Sequence, residues 1–157
     1  MSGISQATGL LAAREGLWNA IQAATAAHGR DLDRYYTTPD EVTSTKWVGL
    51  TDMTVDPDLT NIGPRRSFDE AIRIGVSLGA WAPGRGEAAG RAAFEDAFEL
   101  LSEIQTYITQ RDIELGGAVL WCLPGQMSND AVGSDDGNGY VAEIVTEFVC
   151  AHKVRPT

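Results

Sequence analysis

The chain has 157 residues, 43% of them apolar, and carries 22 acidic against 12 basic side chains, a net charge of -10. That length and apolar content suit one domain, residues 1–157, with a full hydrophobic core, and argue against disorder throughout. The acidic excess argues against tight binding of duplex nucleic acid, which needs lysine and arginine to replace counterions, but suits a surface that DNA slides past without sticking.

Residues 1–8 lack the basic start and apolar run of a secretory signal, and no segment approaches the ~20 apolar residues that span a bilayer. The reading is a protein made and assembled in a cytoplasm, with no membrane. Cys122 and Cys150 both fall in predicted strands. Two cysteines make neither a disulfide framework nor a zinc site, so buried free thiols are expected.

The first predicted element is a helix over residues 10–28. Leu10, Leu11, Leu17, Trp18, Ile21 and Ala24 form its apolar stripe, and Gly29 stops it. Residues 30–44 read as a connector with a short extended piece at Tyr35-Tyr36. A strand follows at Thr45–Leu50. Thr51 to Pro64, rich in Asp, Asn, Gly and Pro, reads as a long loop, and loops of that length in compact domains are often functional. A second strand spans Arg66 to Trp81, with Phe68, Ile72, Ile74, Val76 and Leu78 on one face and Asp69, Arg73 and Ser77 on the other. At ~3.3 Å per residue it reaches ~50 Å, more than a small domain needs, so one end is expected to project.

Residues 87–110 give the clearest helix, with Phe94, Ala97, Phe98, Leu101, Ile104 and Ile108 as its apolar stripe and as the main lid on the sheet. Gly117–Leu123 is apolar throughout, as a central strand is. After a polar turn at Ser134–Gly139, Tyr140–His152 alternates, so one face meets the core. The expected fold class is α+β: a mainly antiparallel, possibly mixed, four-stranded sheet with two helices packed on it, in the order α-β-β-α-β-β. The strands joined across the long helix are expected to be parallel neighbours through a right-handed crossover.

Two short motifs suggest ligands. Gly84-Arg85-Gly86-Glu87-Ala88-Ala89 matches a dinucleotide fingerprint, but the strand before it alternates and the position for the acidic ribose binder falls inside the following helix. A turn and helix start explains the same letters. Ser134-Asp135-Asp136-Gly137-Asn138-Gly139 resembles part of a calcium loop, but Val145 stands where the bidentate Glu is needed. A hairpin turn explains it. His28 and His152 have no partner at metal-ligand spacing, and no nucleophile elbow is present. No catalytic, cofactor-binding or metal residue is assigned, and no cofactor.

The segment Arg65-Arg66-Ser67-Phe68-Asp69-Glu70-Ala71-Ile72-Arg73-Ile74-Gly75-Val76 resembles the arginine-rich entry to a long strand in tail terminator proteins of long-tailed (siphovirus) bacteriophages, especially those of actinobacteria. The helix after it, Leu115–Trp121, the acidic turn and Gly139–Ile144 are similar to that family's second half. The first helix and Trp47-Val48-Gly49 fit its first half, so the resemblance covers most of residues 10–155, with 30–44 outside it. It implies a structural virion protein in the neck region of the tail, not an enzyme. Such proteins form a ring, usually a hexamer, that caps the head-proximal end of the tail tube, ends tube polymerisation and joins the head–tail connector, with DNA passing through the hole. Asp52, Asp56, Asp58, Arg65, Arg66, Trp81, Asp130, Asp135 and Asp136 are the candidate residues for contacts between subunits or with the tube. Another neck, tail-completion or connector protein is the alternative in the same class. A small nucleotide- or metal-binding enzyme, using the 84–89 turn or the 130–139 acids, is the alternative from another class.

Overall fold

The structure is a computed structural model that describes residues 3–37, 44–133 and 139–156. In chain order the elements are β1 (Ile4–Ser5), α1 (Leu10–Ala24), β2 (Leu32–Tyr35), β3 (Lys46–Asp58), β4 (Phe68–Pro83), α2 (Glu87–Arg111), β5 (Trp121–Gly133) and β6 (Gly139–Val154). Short 3-10 turns follow α1, β3 and α2. The six strands form one mixed sheet. β6 lies between β4 and β5, β4 is flanked by β3, and β2 closes that side. The contacts β1–β6 and β2–β3 are parallel, and the rest are antiparallel.

This corrects the expected four-stranded sheet in the order α-β-β-α-β-β. The observed order is β-α-β-β-β-α-β-β with six strands. β1 and β2 have two and four residues, too few to show a period, and only their partners make them strands. Most of the expected loop 51–64 is the second half of β3, paired with β4 as far as Asp58↔Asp69. The apolar run 117–123 is not a central strand. Gly117 ends a 3-10 turn, residues 118–120 are turn and bend, and β5, which starts at Trp121, pairs with β6 alone among the described strands. The strands joined across α2 run parallel, but β6 inserts between them, so they are not neighbours.

β4 alternates as its sequence implies. Ile72, Ile74, Val76, Leu78 and Ala80 are fully buried, and Ile144, Phe148 and Cys150 of β6 share that face. Both helices cover it: α2 packs on β4, β6 and β5, and α1 on β4 and α2. The buried stripe of α2 is Ala89, Ala93, Ala97, Leu100, Leu101, Ile104 and Ile108. Three alanines let the first half of the helix lie close to the sheet, and the larger chains fill the space under the second half. Phe94 and Phe98, expected in this stripe, stand outside it at 37% and 49% exposure, and Leu11 of α1 is 68% exposed.

A bulge interrupts β3 between Leu50 and Met53. The backbone there folds over Gly75 of β4, where a β-carbon would collide with Thr51 Oγ1 and Asp52 O. The bulge turns the Thr51 carbonyl away from the ladder, and Arg14 of α1 donates to it at 3.1 Å. The Arg14 guanidinium also donates to Tyr36 O and lies 4.8 Å from the centre of the Tyr36 ring. A buried arginine thus satisfies backbone that the strand irregularity would otherwise leave bare.

A second buried polar cluster anchors the N-terminal segment. Glu70 Oε1 accepts from Gly9 N at 2.8 Å and Thr8 Oγ1 at 3.0 Å, and lies 2.9 Å from His152 Nδ1. The approach to Nδ1 is off line for a straight hydrogen bond, so the carboxylate and the imidazole are in close polar contact only. His152 Nε2 lies 3.1 Å from Ser5 Oγ. Ser, His and Glu here have the spacing of a hydrolytic triad, but Ser5 Oγ donates to Ala7 O at 2.6 Å and Gly9 packs against the imidazole. The cluster reads as a clasp that ties β1 and the start of α1 to β4 and β6.

Replacing Glu70 with Ala should leave Gly9 N and the Thr8 hydroxyl without their acceptor, and each buried donor left unsatisfied costs about 1–3 kcal/mol. In a chain of this size that lowers Tm by roughly 10 °C. Asp69→Ala, one residue away on the exposed face and 3.6 Å from Lys153, should shift stability by under ~1 kcal/mol. Thermal melts of the two variants side by side check this, and equal losses would refute the clasp.

Candidate functional site

Both helices lie on one face of the sheet, so the other face is open. Its positions are the odd-numbered residues of β4 and β6 and their cross-strand partners. Across distal β3, β4 and β6 it holds Asp56, Asp58, Asp69, Glu143 and Glu147 against Arg73 and Lys153, five carboxylates to two cations. Arg73 bonds Glu147 at 2.9 Å and lies 3.8 Å from Asp56, which leaves the face net acidic. Trp47 lies over Gly79 and Trp81 over Gly139, each close enough to exclude a β-carbon. The aromatic rings thus cover the glycines at one end of this face.

The two lateral sides of the sheet differ. On one, β2 covers β3 only along Lys46–Gly49, so among the described residues Leu50–Asp58 has an unpaired edge. On the other, β5 pairs with β6 and no other described strand pairs with its outer edge. Both edges are blunted. Pro57 removes a donor from β3, which also carries the bulge, and Pro124 sits beside a register shift in β5.

The β3 side ends in a turn with unusual backbone. Arg65 and Arg66 both have φ 59, a left-handed conformation that costs a non-glycine residue about 1–2 kcal/mol. The turn is held by Gly63 N to Ser67 O at 2.7 Å and Ser67 N to Pro64 O at 3.1 Å. Asp58 accepts from the Thr60 hydroxyl at 2.6 Å and from Asn61 Nδ2 at 3.0 Å. Those bonds hold its carboxyl below the usual carboxylate range. Leu59 and Ile62, each 59% exposed, crown the turn. The β5 side presents Trp121 and Leu123, about 40% exposed, on the open face, while the flank of α2 with Phe94 and Phe98 lies on the helix-covered face. Those two rings stack at 6.2 Å.

The nine residues expected at contacts therefore divide. Asp56, Asp58, Arg65 and Arg66 gather at the β3–β4 turn, with Asp52 exposed in the nearby bulge. Trp81, half-buried over Gly139, and Asp130, whose backbone pairs with Glu143, lie toward the opposite end of the sheet. Asp135 and Asp136 lie outside the described residues. Sequence reasoning singles out six acids, two arginines and Trp81, and does not single out Leu59, Ile62, Phe94, Phe98 or Trp121. The signal available was the alanine series 89, 93, 97, which marks the buried side of α2 and puts the phenylalanines beyond it.

The Gly84–Ala89 motif forms no ligand site. Gly84 and Gly86 have φ 104 and 85 and form a turn that starts α2. The 134–138 turn lies outside the described residues. Among the described residues no group of three or more His, Cys, Asp or Glu is placed to hold a metal. His28 Nε2 contacts Glu103 Oε2 at 2.7 Å beside an open groove of about 650 Å³ between the end of α1 and α2. No helix in the described residues is long and apolar enough to cross a membrane. Cys122 and Cys150 face each other across β5 and β6, buried and free. The facing Cys150 thiol, with burial, pushes the Cys122 thiol far up, so it stays protonated and unreactive.

No protein-family model matches the chain, and no curated protein matches it. Among solved structures, the fold is similar to a chain of the "Virion of native gene transfer agent (GTA) particle", with a TM-score of 0.51 at 10% sequence identity. The match covers 89% of this chain and 93% of that one. At that identity the likeness is one of fold.

Two measurements follow. Both thiols should resist Ellman's reagent in the native protein and react fully on unfolding, and fast native labelling would contradict their burial. Arg65→Gly and Arg66→Gly should each raise stability by roughly 0.5–1 kcal/mol, because relief of the left-handed strain exceeds the entropy that glycine adds to the unfolded chain. Unchanged or lowered melting temperatures would show that the turn is not strained.

Proposed function

We propose that this protein is a structural component of a phage-like virion, and within that class a tail terminator: a ring, expected to be a hexamer, at the head-proximal end of the tail tube. The observation that carries the coarser reading is the fold shared with a virion-particle chain over nearly the full length of both. The finer reading rests on the sequence resemblance of most of residues 10–155 to tail terminators, and on three features of the fold that suit a ring. The lateral sides of the sheet are unlike, as heterologous contacts in a ring require. Large apolar side chains are exposed on both sides. The open face is acidic, and a lumen of that sign repels a passing duplex instead of holding it. In this reading the partners are further copies of the chain, the tube protein and the head–tail connector, and the protein does no catalysis.

The test is electron microscopy of the purified protein mixed with tail tubes of the virion that carries it, with native mass measured in parallel. The expected result is a closed ring on one end of each tube and a tube length that stays constant. A ring that binds the connector while tubes keep growing would make it another neck protein. Indifference to tube and connector alike would overturn the virion reading.

A further inference from the structure

The chain has two cysteines, and the fold sets them against each other. Cys122 of β5 and Cys150 of β6 are directly opposite partners in the antiparallel ladder. Both are fully buried in the core on the helix face, and both are free. The side chains are close enough to interact. Directly opposite residues of an antiparallel pair have Cα atoms about 4.5–5.5 Å apart. A disulfide spans Cα separations of about 4.4–6.8 Å. The two strands therefore already stand at disulfide distance, and no element has to move to bring the sulfurs together.

The two strands differ in how firmly they are held. β6 pairs with β4 along its whole length without a shift of register. β5 pairs with β6 alone among the described strands, and a register shift between Pro124 and Met127 interrupts that pairing. A strand held on one side only is the part of a sheet that opens at least cost. Cys122 is the second residue of β5, between the half-exposed Trp121 and Leu123. A bond from Cys122 to Cys150 would tie the start of this marginal strand to the regular centre. The loop it closes holds the rest of β5 and most of β6, and closing a loop of that length removes freedom from the unfolded chain.

We propose that Cys122 and Cys150 are the two halves of a redox lock, free thiols in a reducing medium and, in an oxidising one, a disulfide that pins β5 to β6. The co-reactant is a low-molecular-weight disulfide of the oxidised glutathione kind. When β5 lifts at its start, one cysteine loses its proton to solvent and its thiolate attacks a glutathione sulfur. The glutathione S–S bond breaks, and one glutathione leaves as a thiolate that takes up a proton. As β5 settles back, the second cysteine loses its proton and attacks the protein sulfur of the mixed disulfide. The second glutathione leaves and is protonated in turn. Two protein thiols are oxidised and one glutathione disulfide is reduced. With β5 in place the thiols are buried and inert, so opening of the strand sets the rate. The lock goes beyond the proposed ring and holds whether or not copies assemble.

The test holds the full chain in native buffer with graded ratios of reduced to oxidised glutathione until the thiol count is constant. Samples are then alkylated in denaturant and read by intact mass and by a peptide map without reductant. The expected result is a single chain short of two hydrogens, with the Cys122 peptide joined to the Cys150 peptide. Its Tm should exceed that of the reduced protein by roughly 5–10 °C, and Cys122→Ser should show no such rise with oxidant. A second arm refolds the chain from denaturant under the same oxidant, which separates a failure of geometry from a failure of access. Thiols that stay free, glutathione adducts that go no further, or cross-links between chains would overturn the lock. So would a bond that forms in the refolding arm alone, because the native chain then cannot close it. A cross-linked chain that melts no higher than the reduced one would overturn it as well.

Discussion

The pairing of β4 with β6 is the constraint that the rest of the molecule obeys. Every residue from Phe68 to Pro83 has a partner, with no shift in register, from Val154 to Gly139. Because side chains alternate, that one register decides which residues see the helices and which see the open face, and a slip of one residue would exchange them all. It sets Ile72, Ile74, Val76 and Leu78 beside Cys150, Phe148, Thr146 and Ile144 on the helix face. It also sets Arg73, Ser77 and Gly79 beside Val149, Val145 and Glu143 on the other. The buried clasp of Glu70 and His152 is one rung of the same ladder. Through it the short β1 and the start of α1 are held to the sheet.

Irregularity is confined to the strands outside this pair. The bulges at Leu50/Met53 and Pro124/Met127 lie in β3 and β5, one on each side of the β4–β6 pair. Each bends its strand where an outer partner would otherwise add. Gly75 admits the first bulge, and Arg14 satisfies the carbonyl that it exposes. The side chain of Glu147 occupies the space that Gly125 leaves at the second. The centre is regular and rigid, and the margins are shaped against indiscriminate pairing. A surface built this way meets partners through selected side chains.

How much of this the sequence discloses depends on how local each cause is. The alternation of Tyr140–His152 and of Phe68–Leu78 and the period of residues 87–110 are local patterns, and those three elements stand where the patterns put them. Asp52, Asp56, Pro57 and Asp58 have the composition of a loop but lie in β3, because pairing with β4 outweighs their weak strand preference. The apolar run at 117–123 suggests burial on both faces. In the fold Val119 is buried in the core while Trp121 and Leu123 stay half-exposed, since none of the described residues covers that face. The candidate surface was legible through its charges at the Arg65–Arg66 turn. Its apolar half was not, because Phe94 and Phe98 sit within one residue of positions that a wider stripe would bury.

Magnitudes suggest how such a surface behaves. Full burial of a large apolar side chain contributes about 1.5–3 kcal/mol. Leu59, Ile62, Phe94 and Phe98 are already between one third and two thirds exposed, so covering the four together yields something near 3–6 kcal/mol. Exposed ion pairs add under ~1 kcal/mol each and act mainly on register and on-rate. Association of two free copies costs about 4–15 kcal/mol in lost freedom. A single contact of this kind is therefore close to balance, and two copies alone would hold only weakly. In the proposed ring closure would change the sum, because the last contact would form within one particle and carry no further cost of bringing copies together. A tube end that gathers copies acts in the same direction by raising their effective concentration. Weak lateral contacts on a net-acidic chain thus suit a protein that stays dispersed until a template collects it. In the proposed ring the acidic open face would form the wall of the hole.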